Sequence, residues 1–435
     1  MATALQRFAN IRRDEVPAVL ASVAYFLCVL AALQVIRPAR EALGMRSGLD
    51  AVRWLFVGTA VVTLAATPVF GALVSRYKRF GFIAATYGFF MVSLLLFWAL
   101  ITFAPARTGE VSGRVFYVWF SVFNLFTTMV FWALMVDRFS LEQSKRLFGL
   151  IAVGGTLGAM LGPWLAWRYA ETVGAANLIL VAVGFLLLAL VAARVVVGLR
   201  PESRAEQTPA EAAARSQDAV IGGSAWDGLR DVVRSPYLVG ICAFVLTMTV
   251  MATFIYFTRL AMVAAMTEAV DERTGLFAQI DFWTQFTTFL LQLLVTGHVM
   301  KRLGVGVALA LLPVTVSLGF IGLAISGSFT ALVLLEAAYR ATQRGLTRPA
   351  RETLFTVVRR EDKYKAKSVI DTFVYRTGDV VGAWTEGALG ALGGGVAALT
   401  ALVVPTSVAW AVLGVWLARR QTKVAAAQAV GSAST

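Results

Sequence analysis

Residues 177–198 read NLILVAVGFLLLALVAARVVVG, an apolar run that contains one charged residue, Arg194. A helix that crosses a bilayer needs about 20 mostly apolar residues. Runs of this kind recur along the whole chain, and we place twelve of them, at residues 16–37, 51–73, 81–104, 115–137, 147–170, 177–198, 236–262, 276–299, 305–326, 329–358, 368–392 and 394–418. The sequence therefore predicts an all-α polytopic membrane protein with twelve transmembrane helices.

The composition also favours a membrane protein over a soluble one. Hydrophobic residues make up 58% of the 435 residues, charged residues make up 15%, and the mean hydropathy is +0.74. Soluble domains are about 45–50% apolar and about 25% charged. The first apolar run is too long, and too polar at its ends, for a signal peptide, and no small-residue cleavage site follows it.

Lys and Arg residues are distributed unevenly among the segments that join the spans. If the N-terminus is cytoplasmic, most of them fall in cytoplasmic segments: near Arg12, in the stretch 200–235, in the run 359–367 and after Ala418. This bias follows the positive-inside rule, so we expect both termini in the cytoplasm and the protein in the inner (plasma) membrane. The net charge of +14 then reflects topology, and we predict no nucleic-acid partner.

The longest polar stretch divides the spans into two groups of six. We therefore predict an N-terminal half at 1–199, a cytoplasmic loop at 200–235, a C-terminal half at 236–420 and a cytoplasmic tail at 421–435. Two six-helix halves joined by a cytoplasmic loop are typical of the major facilitator architecture. The predicted fold is major facilitator-like, and we expect a monomer.

The sequence contains no motif for catalysis or for metal binding. The phosphate-binding pattern G-x-x-x-x-G-K-[ST] does not occur, so we do not expect this chain to hydrolyse a nucleotide. His298 is the only histidine, and Cys28 and Cys242 lie in separate apolar runs as small buried side chains. We predict a protein that is not an enzyme and that needs no metal and no other cofactor.

The tenth apolar run carries four arginines, at spacings of four, four and three residues: Arg340, Arg344, Arg348 and Arg351. On a regular α-helix these side chains fall within an arc of about 80°. One arginine at the centre of a bilayer costs about 2.5–3.5 kcal/mol, so four on one face indicate a function or a water-filled cavity. Such a ladder suits a multiply charged anion. The alternative is that the helix pairs its own charges, Glu336 with Arg340 and Arg348 with Glu352.

An internal repeat connects the tenth run with the first. Residues 37–41 and 348–352 both read Arg-Pro-Ala-Arg-Glu. Helices 1, 4, 7 and 10 are equivalent positions in the major facilitator architecture and line its central path. Helix 4 contributes Asp137 and Arg138 near its inner end, and helix 7 contributes Arg259. A salt bridge between Arg37 and Glu41 is the alternative for the first copy.

The motifs around this repeat resemble one transporter family. The stretch Arg348-Pro-Ala-Arg-Glu-Thr-Leu-Phe355, followed by Lys363-Tyr-Lys-Ala-Lys-Ser-Val-Ile-Asp371 and by Arg376-Thr-Gly-Asp379, is similar to the ATP/ADP translocases of plastids and intracellular bacteria. The resemblance implies a twelve-helix nucleotide exchanger or uniporter. It places Arg40 and Arg351 where that family has substrate-binding basic residues, as a clamp from the two halves. The predicted substrate-binding residues are Arg37, Arg40, Glu41, Arg259, Arg340, Arg344, Arg348, Arg351 and Glu352.

Charged residues near the cytoplasmic ends of helices 4, 5, 10 and 11 are candidates for gating. Alternating access requires the two halves to rock about a central site, and ion pairs at these ends would stabilise one closed state. The predicted gating residues are Asp137, Arg138, Lys145, Lys363, Lys365, Lys367, Asp371, Arg376 and Asp379. The G-x-x-x-G spacings in helices 5 and 11 predict close helix packing.

Two other functions remain open from the sequence. The protein could carry a different organic anion, such as a sugar phosphate, with proton coupling through Asp281, Asp371 or Glu386. It could also be a membrane protein that transports nothing. The shared arginines of helices 1, 4, 7 and 10 favour a transporter whose partners are the lipid bilayer and a nucleotide or other anionic solute.

Overall fold

The computed structural model describes residues 11–74, 79–199, 235–294, 296–358, 366–367 and 369–433. The N-terminal six helices follow the predicted spans. They are α1 (Val16–Gly44), α2 (Leu49–Val74), α3 (Arg79–Phe103), α4 (Ala106–Arg138), α5 (Leu141–Val173) and α6 (Leu178–Leu199). Helix α5 begins at a capping box, in which the Ser140 side chain accepts from the Gln143 N–H and the Gln143 side chain accepts from the Ser140 N–H.

The second six helices are less regular. They include α7 (Pro236–Met266), α8 (Val270–Leu294), α9 (Thr296–Ser326) and α12 (Val396–Ala433). Helix α10 runs from Phe329–Thr342 through a π-helical turn, Gln343–Thr347, into Arg348–Leu354. Helix α11 begins with a π-helical turn, Ile370–Val374, and continues as Tyr375–Ala391.

Nine helices in the described part of the chain are long and apolar enough to cross a membrane. The other three are α8, α10 and α11, which carry charged residues and, in α10 and α11, π-helical turns. The predicted all-α membrane fold of twelve helices is confirmed, and the protein is a multi-pass membrane protein.

Some predicted span boundaries differ from the observed helices. Helix α8 begins at Val270, ahead of the predicted start at 276, because its acidic first turn hid its N-terminus in the hydropathy pattern. Helix α9 is broken at Gly304, where the backbone takes a positive φ of 75°. Helix α12 continues to Ala433, well beyond the predicted end at 418.

The chain divides into two compact units. The first contains Met1–Ala214 together with Val263–Phe282, and the second contains Arg215–Met262 together with Trp283–Thr435. The C-terminal end of α7 and the first half of α8 therefore belong to the first unit. The six-plus-six division at 200–235 stays a prediction, since that loop lies outside the described residues.

The first unit is built around α1, which packs against α4, α5 and α6. Glycines of α5 make the contact with α1 possible. A Cβ on Gly162 would lie 2.7 Å from the Val35 nitrogen, and a Cβ on Gly158 would overlap the Leu27 carbonyl. These are the glycines whose spacing predicted close helix packing, and the packing is observed.

In the second unit, glycines of α11 likewise allow close packing against α7. A Cβ on Gly382 would lie 2.8 Å from the Thr253 Cβ, and a Cβ on Gly378 would overlap the Thr249 hydroxyl. Helix α12 packs along α9. The Gln421 side chain donates to the Thr353 carbonyl at 2.7 Å, which joins the C-terminal part of α12 to the end of α10.

Candidate functional site

The π-helical turn of α10 lies directly before the second Arg-Pro-Ala-Arg-Glu motif. Pro349 has no N–H, and its ring would clash with the Gly345 carbonyl in a regular α-helix. The backbone responds by widening, so that the Arg348 N–H donates to the Gln343 carbonyl, five residues back. Turns of this kind occur often at functional sites.

A second π-helical turn lies at the start of α11. There the Tyr375 N–H donates to the Ile370 carbonyl, again five residues back. The residues that follow this turn, Tyr375, Arg376 and Asp379, face the residues that follow the turn in α10 across one cavity. Both irregular turns thus lie beside the same cavity.

The cavity has a volume of about 400 Å³. This is within the range of about 300–1,000 Å³ that small-molecule sites occupy. Four arginines and one aspartate give its wall a formal excess of three positive charges. Its lining residues, all in the second unit, are Met248, Gln343, Arg344, Thr347, Arg348, Arg351, Tyr375, Arg376 and Asp379.

Arg351 is the most buried arginine of this cavity, with 8% of its side chain exposed. One guanidinium nitrogen donates to the Tyr375 hydroxyl at 2.7 Å. The other terminal nitrogen lies 3.3 Å from the Glu352 carboxylate, whose second oxygen accepts from Lys367 at 2.6 Å. Arg351 is therefore held in one orientation from both sides. Lys367 is joined to the cavity through Glu352.

The other three cavity arginines are held differently. Arg344 donates to the Gln285 side chain of α8 at 2.7 Å. Arg376 donates to Asp379 at 3.3 Å, so these two predicted gating residues form an ion pair with each other. Arg348 is exposed and makes no ion pair with any residue in the described part of the chain. The alternative pair between Arg348 and Glu352 is not formed, because the Glu352 carboxylate forms ion pairs with Arg351 and Lys367.

Arg340 and Arg259 are brought together away from the cavity wall. Both approach one oxygen of Glu336: Arg340 at 3.3 Å and Arg259 at 3.6 Å. Arg259 and Glu336 are 0% and 1% exposed. The four-arginine ladder is therefore not one continuous face. The π-helical turn changes the helical register after Thr342, and Arg340, which precedes the turn, pairs with Glu336 as the alternative interpretation expected.

The first copy of the repeat lies at the end of α1 in the first unit. The Arg40 guanidinium stacks 3.5 Å from the centre of the Tyr117 ring. Its Nε donates to the Tyr117 carbonyl at 3.0 Å, and its Nη1 lies 2.8 Å from Glu41. Arg37 lies 3.8 Å from Asp281 of α8, so the expected pair between Arg37 and Glu41 is not formed.

Several predicted gating residues are located by the structure. Arg138 is buried, Asp137 is partly buried and Lys145 is exposed. Arg376 and Asp379 line the cavity, and Lys367 pairs with Glu352. Lys363, Lys365 and the side chain of Asp371 lie outside the described residues.

The ion pair at the start of α5 is formed by the residue next to the predicted gating residue Lys145. Arg146, and not its neighbour Lys145, lies 2.9 Å from the buried carboxylate of Glu15. Gln143 and the Arg12 N–H also donate to this carboxylate, each at 3.0 Å. Burial raises the Glu15 pKa, but these donors outweigh it and hold that pKa below its ordinary value.

Four cavity residues were missed from the sequence: Met248, Gln343, Thr347 and Tyr375. Gln343 and Thr347 precede Arg351 by eight and four residues, and this spacing was a usable signal. Tyr375 adjoins Arg376 and was recognisable only as a neighbour of a charged residue. The aromatic ring at the cavity is thus Tyr375, whereas Tyr339 is buried with its hydroxyl 3.4 Å from the Met248 carbonyl.

The family match and the structural neighbours described below make this twelve-helix protein a membrane transporter and not an enzyme. A family model described as Major Facilitator Superfamily matches residues 18–335. The chain belongs to the major facilitator superfamily. No protein with a curated description matches the sequence.

Solved structures of other transporters have a similar fold. A POT family transporter in complex with 5-aminolevulinic acid is 12% identical with a TM-score of 0.60, over 93% of this chain and 96% of that one. A bacterial homologue of the human lysosomal transporter Spinster, in an inward-facing and unoccupied conformation, is 15% identical with a TM-score of 0.55, over 95% and 97%. The nucleoside transporter NupG is 12% identical with a TM-score of 0.57, over 95% and 100%. At these identities the likeness concerns the fold alone.

Proposed function

We propose that this protein transports an anionic, phosphorylated solute by alternating access, and that the solute is a nucleotide exchanged or taken up as in ATP/ADP translocases. The observation that carries the proposal is the cavity with Arg344, Arg348, Arg351 and Arg376 in its wall. A single aspartate, Asp379, opposes these four charges there.

The charge balance favours a multiply charged ligand. Guanidinium groups are always ionised and bind phosphate through two parallel hydrogen bonds. A nucleoside triphosphate carries about four negative charges near neutral pH: about one on each of the two inner phosphates, and about 1.5 to 2 on the terminal phosphate, whose second pKa lies near 6. A ligand of this kind would neutralise the excess of three positive charges at the cavity. A neutral ligand would leave that charge uncompensated among apolar helices.

The cavity arginines have separate roles in this proposal. Arg351 and Arg344 are held by Tyr375 and Gln285, so they present fixed donors and lose little conformational entropy on binding. Arg348 is exposed and makes no ion pair with described residues, so it attracts the ligand first. Tyr375 offers a ring against which a base could stack, which is worth about 1–3 kcal/mol.

The resemblance of the motifs in α10 and α11 to the ATP/ADP translocases supports the nucleotide as the more specific substrate. Arg351 is the motif residue for which the cavity gives a physical role. The clamp between Arg351 and Arg40 stays a prediction, since Arg40 makes its described contacts with Tyr117 and Glu41.

We also propose that the inner ends of α10 and α11 form part of the gate. The ion pair between Lys367 and Glu352, at 2.6 Å, joins these two helices beside Arg351. Asp371 is the acidic candidate on the same segment. Asp371→Lys should lower turnover more than it lowers ligand affinity, and an unchanged transport rate would remove Asp371 from the gate.

The orientation and location are part of the same proposal. Both termini face the cytoplasm, the protein is a monomer in the inner membrane, and the loop at 200–235 is cytoplasmic. An alkaline phosphatase fusion at about residue 215 should therefore be inactive, and periplasmic activity of that fusion would reverse the topology.

Counterflow in proteoliposomes tests the substrate. Vesicles loaded with unlabelled ATP should accumulate labelled ATP or ADP, and inorganic phosphate, a sugar phosphate, citrate and adenosine complete the panel. Arg351→Gln should abolish most of the flux. The matched control is Arg194→Gln, which removes an arginine from α6 that lies near Phe80 and outside the cavity lining.

Three outcomes would change the proposal. Flux of citrate or a sugar phosphate without flux of nucleotides would assign the cavity to another organic anion. Flux of adenosine at the same rate as ATP would show that the arginines do not select for phosphate. An equal loss in Arg194→Gln and Arg351→Gln would show a general effect of removing membrane charge.

A further inference from the structure

Thr347 differs from three other buried threonines of the second unit. Thr249, Thr253 and Thr288 each donate their hydroxyl to the carbonyl four residues earlier, at 3.1, 2.9 and 2.7 Å. Thr347 is 1% exposed, and its hydroxyl has no hydrogen-bond partner in the described part of the chain.

The π-helical turn explains this difference. The usual acceptor for the Thr347 hydroxyl is the Gln343 carbonyl, four residues earlier. A carbonyl can accept two hydrogen bonds, but in the widened turn this one is aligned with the Arg348 N–H, five residues on, and not with residue 347. The irregular backbone that places Arg348 and Arg351 at the cavity therefore also removes the acceptor of Thr347.

A buried hydroxyl without a partner is unfavourable, so its retention needs a reason. Thr59, Thr284 and Ser407 also have buried hydroxyls without described partners, but they do not line the cavity. Thr347 lines it, between Arg344 and Arg348 in sequence and one turn before Arg351. A ligand drawn in by these arginines brings acceptor oxygens to this part of the wall.

We infer that Thr347 is a specificity-determining residue that donates a hydrogen bond from its hydroxyl to a phosphoryl oxygen of the transported solute. This inference rests on the proposed function. In the ligand-free protein the hydroxyl is buried, and rotation about its Cα–Cβ bond turns it toward the cavity when an acceptor arrives. Sites that hydrogen-bond a ligand reject analogues that leave such a group without a partner.

The inference predicts opposite effects on affinity and on stability. Thr347→Val keeps the shape of the side chain and removes only the hydroxyl. Affinity for ATP and for inorganic tripolyphosphate should both fall about tenfold or more, because a hydrogen bond to an anionic phosphoryl oxygen is lost in each case. The melting temperature of the ligand-free variant should equal or exceed that of the wild type, because the unpartnered group is gone. Thr347→Ser should bind both ligands as the wild type does.

The matched control is Thr288→Val, since Thr288 is a buried threonine of the same unit that already has its acceptor. It should lose stability and keep its affinity for both ligands. Binding would be measured by calorimetry on purified, monodisperse full-length protein in detergent.

The outcomes separate this inference from the proposed function. Normal affinity of Thr347→Val, in a protein whose wild type binds ATP, overturns the role of Thr347 and leaves the proposed function intact. A loss for ATP without a loss for tripolyphosphate overturns the assignment to a phosphoryl oxygen. A loss accompanied by a lower melting temperature makes Thr347 structural. A wild type that binds neither ligand overturns the proposed function, and this inference with it.

Discussion

The two Arg-Pro-Ala-Arg-Glu segments have the same sequence and different surroundings. The first, at 37–41, continues a regular helix, since α1 extends from Val16 to Gly44 without a break. The second, at 348–352, follows the π-helical turn Gln343–Thr347. The first contacts residues of its own unit on most sides, whereas the second borders a cavity.

Both copies join their second arginine to the next glutamate and to a tyrosine of another helix. In the first copy Arg40 lies flat on the Tyr117 ring and donates to its backbone, and Glu41 is 1% exposed. In the second copy Arg351 donates to the Tyr375 hydroxyl, and its guanidinium carbon lies 5.6 Å from the centre of the Tyr375 ring. Glu352 is 40% exposed.

This difference shows that the motif supplies an arginine–glutamate pair in both places. The conformation of the backbone determines whether that pair is buried or borders a cavity. Where the helix is regular, the pair is buried and complete. Where the helix contains the π-helical turn, the guanidinium group of the same pair borders the cavity. We therefore expect the first copy to stabilise the fold, and we propose the second copy as part of the site.

The largest expected effect that separates the copies is on stability. Glu41→Gln leaves the Arg40 charge without its carboxylate in a buried place and should cost about 3 kcal/mol, as does breaking other buried pairs. Glu352→Gln should cost less than about 1 kcal/mol, because its carboxylate is partly exposed and screened. Thermal unfolding of the two purified variants measures this. Equal losses would contradict the comparison.

The next largest effect is on ligand affinity. Arg351→Gln should weaken ATP binding by about one to two orders of magnitude, since a charge-assisted contact is worth about 1.5–3 kcal/mol. Arg351→Lys should recover only part of it, because lysine has no planar fork. Calorimetric titration of purified, monodisperse protein gives the affinities.

Arg40→Gln is the counterpart in the first copy. It should reduce thermal stability, through the lost stacking on Tyr117, more than it reduces affinity. A loss of affinity at unchanged stability would instead support the clamp that the family resemblance implies. If both Arg40→Gln and Arg351→Gln bound ATP with normal affinity, the proposal that these two arginines clamp the ligand would be wrong.

The membrane fold could be predicted from the sequence, because hydropathy and glycine spacing are properties of whole segments and do not depend on the exact position of each side chain. Apolar runs must cover a bilayer, and glycines such as Gly158 and Gly162 let backbones approach. The identity of Arg344, Arg348 and Arg351 as cavity residues followed from their spacing.

The sequence did not reveal what depends on irregular backbone. A constant 100° per residue placed Arg340 on the same face as Arg351, and the π-helical turn between them changed that register. The partners Gln285 and Tyr375 come from α8 and α11, so only the tertiary structure brings them to Arg344 and Arg351. Pro349 was the local signal for the irregular turn, but Pro38 sits inside a regular helix, so proline alone does not predict one.

The smallest expected effect concerns the first arginine of each copy. Arg348 is exposed at the cavity without an ion pair to described residues, whereas Arg37 lies 3.8 Å from Asp281. Arg348→Gln should weaken ATP binding about three- to tenfold at low salt and less at high salt, because a charge in contact with water is screened. Its free energy of unfolding should stay within about 0.5 kcal/mol of the wild-type value, as for other surface changes.

Arg37→Gln should show the reverse. Its melting temperature should fall, and the salt dependence of its affinity for ATP should equal that of the wild type. The measurement is calorimetric titration at two salt concentrations, beside thermal unfolding, for both variants. If Arg348→Gln lost stability and Arg37→Gln lost salt-dependent affinity, the two copies would have to exchange roles.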